Sequence, residues 1–380
     1  MKIAAVQTAE ISGHGWNCLV RVRTDEGLDG YGECVHGGPG VQSNIAAMGE
    51  LLAGEDPLNV ERLFERLRRR YLFDGALGGH AVTAMVGIEI ALWDLAGRAL
   101  GLPVWRLLGS RYRDRVAVYA DCHAGAEDTP QSYAEKAREV VGLGYSAIKF
   151  DVDDPHHPKR RDAWNWSATN AELEDMVARV AAVREAVGPH VDIAIDMHGR
   201  YNQHSAAAFC REVAPFNLLW VEDPVPPENV DALREVKRRS PVPICTGENL
   251  YMRHGFRSLL ESQAADIIMP DLPKCCGLAE AKIIAAMADL YYVPLAPHNV
   301  SGPIGTVASA HLCAAVPNFL LLEWHWLERP HWHELTVGET PVIENGAVSL
   351  GDAPGLGVEL DLEAVRRHLR PGTLLFGEAP

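Results

Sequence analysis

Residues 191–200 read Val191-Asp192-Ile193-Ala194-Ile195-Asp196-Met197-His198-Gly199-Arg200. An apolar, β-branched run that closes on an acid and then a glycine has the pattern of a buried parallel strand delivering a polar group into a turn. The pattern recurs downstream at Leu218 to Pro224, ending on Glu222, and at Val242 to Glu248. Working outward, eight such runs lie between Arg115 and about Glu328, the others being Val116 to Cys122, Ala147 to Val152, Asp266 to Asp271, Val293 to His298 and Phe319 to His325. Each is followed by a stretch alternating apolar and charged positions in the manner of a helix. From Lys149 the polar end-residues fall at Asp196, Glu222, Glu248, Asp271, His298 and Glu323, in steps of 47, 26, 26, 23, 27 and 25 residues. That period is one βα unit, and eight such units predict an α/β fold built on a (β/α)8 TIM-type barrel.

The long first step marks an insertion after strand two, from Asp153 to about Asn170, carrying His156, His157, a Lys159-Arg160-Arg161 run, Trp164 and Trp166. Loops after barrel strands lie on the active face. Two readings stay open for it, a loop that covers substrate and a solvated or subunit-contacting excursion. Residues 1–114 differ in style, with a strand-like Cys18 to Thr24, a turn at Glu26-Gly27 and helical stretches at Leu51 to Tyr71 and Val82 to Leu100. They predict a separate α+β domain. The barrel is then expected over 115–328, and the segment 329–380 returns to strand and turn signals and is expected to pack back on the first domain.

The chain has 380 residues, 47% of them hydrophobic, enough for a large domain and a smaller companion. Its first ten residues hold no run suited to a signal peptide, and no stretch reaches the roughly 18 apolar residues of a membrane span. A cytoplasmic protein is expected. Eight scattered cysteines with no CxxC pair read as reduced core thiols. A formal charge of -16 argues against nucleic acid and anionic membrane as partners. An acidic protein that binds an acidic small molecule needs a local positive centre, and a metal serves.

Strand ends on the C-terminal face of a barrel converge, so Asp196, Glu222 and Glu248 would point to one place. Three carboxylates there repel one another, and a hard cation resolves the conflict. All-oxygen ligation favours Mg2+, with Mn2+ able to substitute. For any one of these acids alone, a local cap or salt bridge explains it as well. His198 lies two residues past Asp196 and by strand alternation faces the same way. His298 ends strand seven, roughly opposite, and Asp271 on the adjacent strand can accept its Nδ1 proton, the pairing a proton-abstracting histidine needs. Lys149 and Glu323 end strands two and eight and face the same cavity. Lys149 is a candidate to neutralise substrate charge, and Glu323 to steady an oxyanion or position a hydroxyl. Arg200 is a candidate carboxylate clamp or a support for the metal ligands.

Together these segments, with Pro270-Asp271-Leu272, Ala296-Pro297-His298, Leu322-Glu323, Ile88-Glu89-Ile90-Ala91-Leu92-Trp93-Asp94 and the Pro354-Gly355-Leu356-Gly357-Val358 tail, resemble the enolase superfamily, mandelate racemase/muconate lactonizing enzyme subgroup. The Asp-x-His-Gly-Arg step is similar to that of sugar-acid dehydratases such as the galactonate dehydratases. The resemblance implies that the first domain caps the barrel, that Asp196, Glu222 and Glu248 are metal ligands, that Asp271 and His298 form the His-Asp dyad, and that His198 is the second acid/base. It also implies a homo-oligomer, often an octamer. Capping-domain loops would supply substrate contacts, here Ser12 to Asn17 with His14 and Trp16, and Phe73 to His80. Two departures matter. Lys149-Phe150-Asp151 stands where racemases carry Lys-x-Lys, which favours dehydration over racemisation, and Asn249 stands where galactonate dehydratases carry Arg. The expectation is an acid-sugar dehydratase yielding a 2-keto-3-deoxy acid; a racemase or epimerase on the same metal is the alternative enzyme, and a silent binding barrel the non-enzymatic one.

Overall fold

A computed structural model gives the structure of the chain and describes residues 1–13, 15–122, 128–154, 156–325, 330–337 and 342–378. The N-terminal domain opens with an antiparallel meander, β1 (Ile3–Gly13), β2 (Gly15–Thr24) and β3 (Asp29–Cys34). Helices α1 (Pro39–Leu52), α2 (Val60–Arg70), α3 (Gly79–Leu100) and the single turn α4 (Val104–Leu107) follow. Helix α3 is apolar nearly all round because it is buried on every side. It lies so close to β3 that a Cβ on Gly32 would stand 2.2 Å from the Gly87 carbonyl oxygen.

The barrel follows with strands β4 (Arg115–Asp121), β5 (Ala147–Asp151), β6 (Asp192–Asp196), β7 (Trp220–Glu222), β8 (Ile244–Thr246) and β9 (Ile267–Ile268), each paired in parallel with the next. Helices α5 (Pro130–Gly142), α6 (Asn170–Val187), α7 (Gln203–Glu212), α8 (Val230–Arg239), α9 (Met252–Glu261) and α10 (Gly277–Asp289) return the chain after these strands, and α11 (Pro303–Ala315) after strand seven. The seventh run, expected over 293–298, makes only single parallel bridges through Leu295 to Ile268 and Phe319. Strand eight, β10 (Leu322–His325), pairs with β4 and closes the barrel. The ladders are shorter than the apolar runs because the chain turns out of the sheet at the mouth, where His198, Asp223 and Gly247 all adopt positive φ. The tail adds β11 (Ile343–Glu344) and β12 (Ala347–Ser349), with β12 antiparallel to β4, and then α12 (Leu362–Arg367). It runs back to β1, where Arg370 N donates to Glu10 O and Phe376 N to Thr8 O. All eight cysteines are buried and free, and no helix among the described residues is long and apolar enough to cross a membrane.

Two capping-domain carboxylates fasten the domains by capping barrel helices. Helix N-termini leave backbone N–H groups unpaired and carry partial positive charge. Glu89 on α3 accepts from Leu278 N and Ala279 N at the start of α10, both at 3.0 Å, and Glu33 on β3 accepts from Gly302 N and Gly305 N at 2.6 and 2.9 Å beside α11. Glu89→Ala strands two buried N–H groups and the Trp93 indole, so a loss of roughly 2–3 kcal/mol is expected in urea unfolding.

His311 on α11 ties the tail to both domains. Its Nδ1 accepts from Trp105 N and its Nε2 faces the Leu356 carbonyl, each at 3.0 Å. Burial lowers its pKa to about 4. Between about pH 6.5 and pH 4 the unfolded chain therefore takes a proton that the native chain refuses. Stability from this group is complete above pH 6.5 and falls with pH, by about 3 kcal/mol at pH 4. His311→Gln is expected to flatten that part of the stability curve measured by denaturant midpoints.

Candidate active site at the barrel mouth

The barrel is floored by an apolar layer of Tyr119, Ala147, Ala194, Trp220, Cys245, Ile267, Met269 and Ala296. Because strand side chains alternate, residues two positions further on also point inward, one layer nearer the C-terminal mouth. On strands one to four and six to eight those residues are Asp121, Lys149, Asp196, Glu222, Asp271, His298 and Glu323. An apolar plug beneath a ring of charged groups is thus a consequence of register. Burial in that ring makes the charges interact strongly.

Lys149, 2% exposed, sets its ammonium 2.9 Å from Glu222 Oε1, 2.8 Å from Glu323 Oε1 and 3.7 Å from Asp196 Oδ2. Burial opposes its charge, yet Glu222 and Glu323 hold its pKa well above the usual lysine value. The ammonium is thus committed to carboxylates beneath the mouth. Glu323 also accepts from Asn299 N at 3.1 Å. Burial lifts Asp196 to about 6 against the pull of His198 and Lys149, and burial followed by the Asp196 charge lifts Glu222 well above the carboxylate range.

The second imidazole is set by the dyad foreseen from sequence. His298 Nδ1 lies 2.7 Å from Asp271 Oδ2, and its Nε2 lies 2.8 Å from Glu248 Oε2 and 3.8 Å from Glu323 Oε2. Burial disfavours the imidazolium, but Glu248, Glu323 and Asp271 raise its pKa well above normal. Glu248, whose ionisation burial likewise opposes, is drawn well below the carboxylate range by His298. Asn249 donates to Glu248 Oε1 and accepts from Lys274 Nζ, each at 2.8 Å.

His198 reaches the cluster by a route other than strand alternation. Strand β6 ends at Asp196; His198 has φ 46° and Gly199 φ 63°, so the chain turns through the left-handed region. His198 N donates to Asp196 Oδ1 at 2.7 Å, and this turn brings its Nε2 within 3.3 Å of Asp196 Oδ2. Arg200 Nε is 2.5 Å from Asp153, so it braces the rim beside His198. Trp16 stands beside Asn17, whose amide donates to Val300 O near His298, and Arg370 lies over the Trp16 ring. His14 falls outside the described residues.

Several groups here were not singled out from sequence. Asp151 joins Asp196 and His198 in a set of donor atoms all within 4.8 Å of one another, so Asp196 belongs to two possible donor sets, this one and that with Glu222 and Glu248. The Asp223 backbone carbonyl accepts from Gly199 N, and its side chain accepts a short hydrogen bond from Thr246; burial, then Glu248 and Asp196, raise its carboxyl to about 7. His325 Nε2 and Asp121 Oδ2 form a buried pair at 3.3 Å, one inward step from Glu323 and Tyr119. That same two-residue period would have found them. These carboxylates outnumber the Lys149 ammonium, and such crowding of hard oxygen donors suits a divalent cation.

Fold and site together define an enzyme of carboxylate chemistry, with imidazoles on either side of an acidic cluster at the mouth of a capped barrel. Residues 3–109 match the mandelate racemase / muconate lactonizing enzyme N-terminal domain and residues 132–365 the enolase C-terminal domain-like family. The chain is 45% identical to a D-xylonate dehydratase of Haloferax volcanii over 99% of its own length and 91% of that protein's. It is 32% identical to a D-galactonate dehydratase of Xanthomonas euvesicatoria pv. vesicatoria, over 92% of this chain and 90% of the other. The crystal structure of a mandelate racemase/muconate lactonizing enzyme-like protein from Rubrobacter xylanophilus superposes with a TM-score of 0.96 at 50% identity, covering 99% of both chains. The chain therefore belongs to the enolase superfamily, in its mandelate racemase/muconate lactonizing enzyme branch, among the sugar-acid dehydratases, which are carbon–oxygen hydro-lyases.

Proposed function

We propose that the protein is a Mg2+-dependent aldonate dehydratase that converts a sugar acid to its 2-keto-3-deoxy acid, with D-xylonate ahead of D-galactonate as substrate. The observation that carries this reading is the pair of imidazoles, each with Nδ1 on a carboxylate and Nε2 turned to the acidic cluster. The substrate order follows the 45% identity to a D-xylonate dehydratase against 32% to a D-galactonate dehydratase. Asn249, where galactonate dehydratases carry Arg, agrees with it.

Asp196, Glu222 and Glu248 would hold the ion. A divalent cation there supplies Lewis acidity toward the substrate carboxylate, without which its α-proton is far too weak an acid for a histidine. His298, oriented by Asp271, takes the C2 proton on Nε2. His198 gives a proton to the 3-hydroxyl, so the C3–O bond breaks and water leaves. The electron pair of the C2–H bond becomes the C2–C3 double bond, and the enol released tautomerises to the 2-keto acid. Racemisation lacks a second lysine, since Asp151 replaces it and Lys149 is held by Glu222 and Glu323.

The test is a semicarbazide assay of 2-keto-acid formation from D-xylonate, D-gluconate and D-galactonate, with Mg2+ and after chelation. Keto product is expected from D-xylonate and none without a divalent ion. Interconverted epimers with no new carbonyl would overturn dehydration. Measured Mg2+ content separates the two donor sets: Glu248→Gln should lose the ion, and His198→Asn should keep it.

A further inference from the structure

The insertion after strand two opens with a residue that sequence reading left without a role. Asp153 lies two positions beyond the end of β5, and its side chain is 4% exposed. One carboxylate oxygen, Oδ1, sits 2.7 Å from His198 Nδ1, and the other, Oδ2, sits 2.5 Å from Arg200 Nε. The opposite edge of the imidazole, Nε2, faces Asp196 Oδ2 at 3.3 Å and Asp151 Oδ1 at 4.0 Å. The separation between Asp153 and His198 equals that between Asp271 and His298, 2.7 Å in both. His198 and His298 are therefore both held by the Nδ1 edge, with Nε2 left toward the cluster.

We propose that Asp153 is the positioning residue for the acid side of the reaction: it accepts the Nδ1 hydrogen of the His198 imidazolium and so fixes the tilt that aims the second hydrogen, Nε2–H, at the departing 3-hydroxyl. This rests on the reading of His198 as the proton donor. Once Nε2 has given up its hydrogen, the neutral imidazole that remains carries a hydrogen on one nitrogen only, and Asp153 keeps it on Nδ1. The carboxylate fulfils that role because it can only accept. Arg200 on its second oxygen prevents it from swinging out to solvent. The ring needs such a clamp because its backbone sits in a left-handed turn, φ 46° at His198 and 63° at Gly199, outside the strand ladder that orients Asp196 and Glu222.

The rest of the insertion is anchored so as to hold Asp153 in place. Val152 N donates to Asp196 O at 3.1 Å, Asn202 N to Trp166 O at 2.8 Å, and Ala168 N to Ser205 Oγ at 3.0 Å. The segment thus folds against the loop after β6, which carries His198 and Arg200. Anchored at both ends in this way, the insertion braces the acid, whereas the base is braced from within the barrel by a strand-end residue.

The test separates the two halves of the reaction. In D2O, C2 deuterium uptake into recovered substrate reports proton abstraction, and keto-acid formation reports loss of the 3-hydroxyl. For Asp153→Ala we expect elimination to fall about 100-fold while C2 exchange stays within about threefold of wild type, with KM little changed. A 3-deoxy-3-fluoro analogue should restore elimination, since fluoride departs without a proton. Asp153→Asn, which keeps shape and loses charge, should fall between the two, and its thermal melting should match wild type. Elimination and exchange falling together, or no gain with the fluoro analogue, would overturn the proposal and leave Asp153 a merely structural anchor. His198→Asn run in parallel isolates the underlying reading: if it eliminates water at the wild-type rate, His198 is not the acid, whatever Asp153 does.

Discussion

His298→Asn should abolish C2 proton exchange and dehydration together, by about 10³ to 10⁴-fold, while the protein stays folded and keeps the divalent ion proposed for the acidic cluster. Asparagine matches the ring's first polar position, so the hydrogen bond to buried Asp271 can persist while the titratable Nε2 is lost. Neither neighbouring carboxylate is free to take over: Glu323 is paired to Lys149, and Glu248 is proposed to hold the ion. Exchange at the wild-type rate in the variant would show that His298 is not the base. Loss of elimination with exchange preserved would move it to the acid side, exchanging its role with His198.

The second large effect is structural. Lys149→Met should cost roughly 3–5 kcal/mol of stability in the ion-free protein, because removing one partner of a buried ion network leaves the other charges uncompensated. Glu222 and Glu323 are fully buried, and the ammonium is within 2.9 Å of both. Methionine fills most of the volume, so the loss is electrostatic and not a cavity effect. Without the ammonium, Glu222, which burial lifts well above the carboxylate range, binds its proton more tightly in the folded than in the unfolded chain. Its contribution is then present at low pH and lost as pH rises through the raised folded value, so the deficit should be greatest at neutral and higher pH. Urea unfolding of both proteins at pH 5 and pH 8 checks this, and Mg2+ is expected to restore part of the loss by binding only the native state. Equal stability of variant and wild type at pH 8 would show that the carboxylates find another cation.

The fold was largely legible because it is written in local periods. The apolar runs and their steps of about 25 residues between Asp196 and Glu323 needed no tertiary information to imply βα units. The same locality made Asp271 and His298 readable as a dyad, since each ends its strand one layer above the apolar floor. Strand seven marks the limit. Its run is apolar and correctly placed, yet it makes only isolated bridges at Leu295, because ladder formation depends on how neighbours stagger.

Local sequence therefore determined the barrel, the capping domain and the row of strand-end groups that includes Asp196, Glu222, Asp271, His298 and Glu323, because strand alternation and βα spacing act between near neighbours along the chain. Tertiary structure alone decided the partners: that Lys149 serves Glu222 and Glu323, that Glu248 meets His298, and that His198 turns inward from a left-handed bend onto Asp153, 45 residues away in sequence. Which buried charge meets which depends on strand stagger and on the path of a long insertion, and both are properties of the packed molecule.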